Sequence, residues 1–195
     1  NFFDILKEFS LLPKDIIMKM MAKFFQCTFL QLKRTLKVEL HVYCYNITKN
    51  VELICNSSTT PHLQISAAVT MSMSIPPLFP AFNFKNDAII DGGFINNFPI
   101  LDAYNNNNKD ASKIYGILVR TNKTSDDDIK INKLNFIFHA FVQTVDRLQK
   151  LKMKMIPKDL TSRFSIITID NMSSFVVDLN PEQIDYLYNI GYNHI

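Results

Sequence analysis

Apolar positions in the first third of the chain follow two spacings. Ile16, Ile17, Met20, Met21, Phe24 and Phe25 recur every three to four residues, with Asp15, Lys19 and Lys23 between them. That period predicts an amphipathic helix whose apolar side packs into a core. Thr28 then stands as the cap of a short helix reaching Arg34. Beyond it, β-branched and aromatic residues at 38–45 and 51–55 predict two strands joined by a polar turn at 46–50. A short helix over 63–73 is expected to stop at Ile75-Pro76-Pro77, because residues before proline avoid the α region.

Further along, 88–90 reads as a short strand running into Asp91-Gly92-Gly93, and 113–119 as a longer one, with helical material between them. Leu134, Ile137, Phe138, Phe141, Val142, Val145 and Leu148 form the stripe of a long helix, and 164–169 is a strand. In the last helix Asn180 is the cap, Pro181 the first residue and Gln183 the third, with Ile184, Leu187 and Tyr188 as its expected buried face. Alternating strands and helices give an α/β class.

Composition narrows the function. With 195 residues, 47% of them hydrophobic and 20% charged, the chain can pack one core, and residues 1–195 read as part of one domain. The net charge of +3 is too small and too scattered to argue for nucleic acid. No Asp, Glu, Lys or Arg lies between Glu52 and Lys85, yet Pro61, Pro76, Pro77 and Pro80 break that stretch before a membrane span of about 20 apolar residues accumulates. Three cysteines without a C-x-x-C pair, and four scattered histidines, point to no metal site, no disulfide framework and a reducing compartment. Only four glycines occur and the first is Gly92, so no Gly-rich phosphate loop and no G-x-S-x-G turn precedes that position.

Asp91 is the candidate for chemistry. A carboxylate at the end of an apolar strand, followed by two residues without Cβ, allows another chain segment to approach its backbone closely. Such a group suits proton transfer at a strand end. The competing reading is a plain hairpin turn between Ile89-Ile90 and Phe94-Ile95.

The block around it is more specific. Ala67, Ala68, Ser72, Ser74, Ile75, Pro76, Phe79, Pro80, Asp91, Gly92, Gly93, Asn96, Asn97 and Pro99 resemble, in order and spacing, the patatin-like phospholipase family. Thr28-Phe29, the strand ending at Tyr45 to Thr48, and the close at Gly191-Tyr192 extend the similarity to most of the chain. The resemblance implies a three-layer α/β fold, incomplete at the N-terminus, and a lipid acyl hydrolase working through a Ser-Asp dyad without metal or cofactor. On matching positions Asp91 is the base, and Gly92, Gly93, Asn96, Asn97 and Pro99 support the motif. Ser72 and Ser74 match the family's helix and turn, not its nucleophile.

The family's nucleophilic serine and oxyanion loop would precede the matched region. The first residues, Asn1 to Asp4, read as internal, so the chain is expected to be the C-terminal portion of an enzyme whose serine lies upstream. The alternative is an inactive homologue that binds lipid or protein. Phospholipid or another acyl lipid is the implied partner, in the cytoplasm or at a membrane surface. Arg147, Lys150, Lys152, Lys154 and Lys158, interleaved with Leu148, Leu151, Met153, Met155 and Ile156, offer either a basic, apolar contact for anionic lipid or an ordinary solvated helix end.

Overall fold

The computed structural model describes residues 14–76, 79–122, 133–170 and 179–193, and for 133–142 it describes the backbone alone. The 125–128 loop and the side chains of Leu134 to Val142 therefore lie outside the described residues. The chain divides into two compact units, 1–97 and 98–195.

In the first unit, helices α1 (Lys14–Phe24) and α2 (Phe29–Leu36) precede strands β1 (Val42–Asn46) and β2 (Val51–Cys55), helix α3 (Ile65–Ser72), strands β3 (Phe82–Phe84) and β4 (Asp87–Asp91), and the helical turn α4 (Gly93–Asn96). The strands form one antiparallel sheet in the order β2-β1-β4-β3. Thr28 and Gln31 make a reciprocal capping box at the start of α2. At the other end Lys37 turns left-handed (φ 57°), so the chain swings through 38–41 and the first strand begins at Val42 rather than at 38. The β3-β4 hairpin turns on Lys85 and Asn86, both at positive φ, which is the twist a two-residue hairpin loop requires.

Helix α3 is the centre of this unit. Ile65, Ala68, Thr70 and Met71 are all but fully buried, and they pack with Phe29, Cys44, Cys55 and Ile89. Such burial suits a helix of small residues whose hydroxyls are satisfied along its own backbone. Thr70 Oγ1 donates to the Ser66 carbonyl (2.8 Å), and Ser74 Oγ to that of Thr70 (2.9 Å).

Helix α1 packs along α3, and among its described side chains Ile17 is buried and Met21 half-buried, while Met20 and Phe24 are exposed; the side chain of Ile16 lies outside the described residues. Among the described side chains the expected buried apolar face is thus confined to Ile17 and Met21, the line that packs on α3.

The second unit contains α5 (Ile100–Asn106), a 3-10 turn (Ala111–Lys113), β5 (Gly116–Asn122), α6 (Lys133–Lys154), α7 (Lys158–Thr161), β6 (Phe164–Asp170) and α8 (Pro181–Tyr192). Strands β5 and β6 are parallel, with α6 and α7 in the connection between them. Strand β5 starts three residues later than its composition predicts, since Asp110 caps the 3-10 turn by accepting from the Ser112 N–H. Ile100, Ile114 and Leu160 form a small core, joined by Phe98, Ile156 and Phe164. The Asn180 to Gln183 capping box of α8 is present as the sequence predicts. Its inner face differs: Ile184 and Tyr188 are exposed, while Leu187 and Ile190 are half-buried. This helix packs on β6, and Tyr186 accepts from the Asp170 N–H, so the buried line is rotated from the expected one.

Candidate active site

Asp91 is the last residue of β4, after three buried positions, Ala88, Ile89 and Ile90. Its backbone N–H donates to the Ser74 carbonyl just past the end of α3 (2.9 Å), and its Cα faces Cys44 of β1. The chain then turns at once into α4, where Ile95 and Asn96 donate to the Gly92 carbonyl. Residues 94 and 95 are helical, which excludes the hairpin reading of Asp91-Gly92.

The two glycines are crowded differently, Gly92 by rigid backbone and Gly93 by the tips of two side chains. A Cβ on Gly92 would stand 2.6 Å from the carbonyl carbon and oxygen of Tyr43 and 2.9 Å from the Cys44 nitrogen, all backbone atoms of β1. The close approach expected from the sequence is therefore made within the same sheet, strand end against strand. A Cβ on Gly93 would meet Asp91 Oδ1 at 2.7 Å and Asn97 Oδ1 at 2.9 Å. In its absence the Gly93 N–H donates to Asp91 Oδ1 at 2.5 Å and fixes the carboxylate against the first turn of α4.

The electrostatics of β4 differ at its two ends. Asp87, at the start, accepts from Lys49 Nζ (2.6 Å) and Asn46 Nδ2 (2.9 Å), which lower its carboxyl below the usual range. Asp91 forms no ion pair with a cation among the described residues. Burial pushes its carboxyl up to about 6, with the Gly93 N–H opposing that shift. A carboxylate of this kind is ionised near neutrality yet far more basic than an exposed aspartate, which is what general base chemistry needs. The opposing Cys44 thiol is pushed up by its hydrogen-bonded neighbour Cys55 and by burial, with a smaller contribution from Asp91, and stays neutral.

The other motif residues follow in the chain. Asn96 ends α4 and Asn97 follows it, exposed. Pro99 caps α5, in the second unit. Ser72 Oγ donates to the Tyr43 carbonyl (2.8 Å), the peptide against which Gly92 rests. Sequence reasoning gave Ser72 and Ser74 only a general structural role. Their contacts with the backbone around Asp91 were not foreseen, since Tyr43 lies 29 residues from Ser72. His41 and His62 do not enter this site, and the side chains of His139 and His194 lie outside the described residues. Among the described residues no group of three His, Cys, Asp or Glu is placed to hold a metal ion.

The model of the patatin-like phospholipases matches residues 4–104, more than half of the chain and the whole of the unit that carries this geometry beyond its first three residues. The chain belongs to the patatin-like phospholipase family. A probable lipid hydrolase of Invertebrate iridescent virus 6, 463L, is 40% identical over 74 residues, which are 38% of this chain and 26% of the relative. The uncharacterized protein R571 of Acanthamoeba polyphaga mimivirus is 27% identical over 169 residues, 85% of this chain and 54% of its own length. Among solved structures, VipD from Legionella pneumophila superimposes with a TM-score of 0.56 at 16% identity, over 86% of this chain and 34% of VipD. That likeness supports the α/β fold. The chain spans about a quarter and about half of the two viral relatives it matches.

Proposed function

We propose that this chain carries the base of a lipid acyl hydrolase, and that Asp91 is that base. Membership of the patatin-like phospholipases and the similarity to a viral probable lipid hydrolase support lipid hydrolysis as the general activity. One observation carries the finer reading: a carboxylate at a strand end, raised to about 6 by burial and held by the Gly93 N–H.

In this reading the nucleophile is a serine in a part of the protein outside these 195 residues, on a turn that needs glycines this chain lacks before position 92. Asp91 removes the serine proton as the hydroxyl oxygen attacks the ester carbonyl. It then passes that proton to the departing alcohol, leaving an acyl-enzyme. Water attacks the acyl group with Asp91 again as base, releasing the fatty acid and restoring the serine. The substrate is a phospholipid or another acyl lipid met at a membrane surface. Residues 1–195 form the C-terminal portion of the patatin domain.

Ester hydrolysis by the whole protein, wild type against Asp91→Asn, tests the assignment. The variant is expected to lose activity by about 10²–10⁴-fold, the usual contribution of a positioned base. Equal rates sink it. A second reading, a silent lipid-binding homologue, is favoured by the lack of G-x-S-x-G in this chain. It predicts no hydrolysis by either form.

A further inference from the structure

The C-terminal turns of α6 have two faces. Val145, Leu148 and Ile156 are half-buried, and Ile156 packs on the small core of the second unit. On the other side Arg147, Leu151 and Lys154 follow one another at helical spacing, with Met155 in the turn beyond. Leu151 is 53% exposed and Met155 70%. From residue 146 to 158 there are five cations and one carboxylate, Asp146, which pairs with Lys150 at 2.6 Å.

We propose that this face docks on an anionic lipid surface. Two flexible apolar side chains, next to each other and ringed by long basic ones, suit the boundary between headgroups and acyl chains: the apolar tips enter, and the lysine stems reach back to the phosphates. The excess of positive charge selects anionic over neutral lipid. An acidic protein would meet the same charge, but the exposed part of this face carries none of the aromatic anchors that dominate protein interfaces. The choice of a lipid surface rests on the lipid-hydrolase reading above and extends it to where the protein meets its substrate.

The test uses the whole protein and sedimentation with two vesicles, phosphatidylcholine alone and phosphatidylcholine with about a third phosphatidylserine. Binding is expected to the anionic vesicle at least about tenfold more strongly than to the neutral one, and to weaken as salt is raised. Two double variants, L151Q/M155Q and K150E/K154E, should each reduce it by about tenfold or more, and either suffices if the other fails to fold. Equal binding to both vesicles, or undiminished binding by a folded variant, overturns the proposal. Binding to neither vesicle also overturns it. Asp91→Asn should bind vesicles like the parent, so failure of the dyad reading, seen as unchanged hydrolysis by that variant, is separable from failure of the docking face.

Discussion

The two sheets of this protein solve different problems. In the antiparallel sheet of the first unit, β4 lies between β1 and β3, its three central residues are buried, and its end touches backbone so closely that no side chain fits at Gly92. In the second unit the parallel pair β5-β6 leaves Ile117 and Val119 of β5, and Tyr115 just before it, half or more exposed. Parallel strands are ordinarily covered on both sides. The contrast teaches where precision is held: the strand end at Asp91-Gly92 sits against β1 backbone that leaves no room for a side chain at Gly92, and the Gly93 N–H holds the Asp91 carboxylate.

The largest break in that contrast comes from Gly92→Ala. The new methyl group must displace the Tyr43-Cys44 peptide, which is rigid backbone, and the expected cost is about 3 kcal/mol. Urea unfolding of the chain measures it. A loss below about 0.5 kcal/mol means that the strand end is not in contact with β1 as described.

Asp91→Asn comes next and carries a pH signature. A carboxyl near 4 when unfolded and about 6 when folded binds more protons in the folded state between those values. Stability contributed by the protonated group is complete below about pH 4, falls as pH rises through about 6, and is then constant at its lower level. The neutral asparagine removes this penalty, so the variant should be more stable than wild type at pH 7 by up to about 2–3 kcal/mol, and equal to it below pH 4. In the whole protein, the rate of hydrolysis should rise with pH through about 6 as Asp91 ionises. A stability difference independent of pH removes the argument for a perturbed carboxyl.

Much of this was legible in the sequence, and unevenly so. The capping boxes at Thr28 and Asn180 are local chemistry, and both appear where the residue types place them. The D-G-G block identified the family because its order and spacing are specific, and the backbone crowding at Gly92 gives a physical reason for the first glycine. What escaped depends on distant partners. Strand β3 was missed because its turn uses Lys85 where asparagine or glycine would signal positive φ. The buried line of α8 is set by β6, and that of α1 by α3, which apolar spacing alone cannot choose. The pairing of Ser72 with Tyr43 has no sequence signal at all.

Ser72→Ala probes that hidden support. It removes the hydroxyl from the Tyr43 carbonyl and should cost about 1 kcal/mol, the usual net worth of such a bond. It should also slow hydrolysis by the whole protein several-fold, because the strand beneath Gly92 loses a fixed point. Ser72→Thr, which keeps the hydroxyl, should recover most of the rate. If alanine and threonine variants behave alike, the hydroxyl does not position Asp91.

The smallest effect is expected at the other extreme of glycine environments. Gly191, in the last turn of α8, has no atom within 4 Å of where a Cβ would stand. Its φ is not positive, so alanine fits the backbone as it is. Gly191→Ala should therefore stabilise the chain by about half a kcal/mol, through a less flexible unfolded state and better helix propensity, reduced by its place at a helix end. The same substitution at Gly92 costs several times more with the opposite sign, so the pair measured side by side reports packing and not residue type. Should Gly191→Ala destabilise instead, the end of α8 is packed against something, and the division between a closed first unit and an open second one fails at that point.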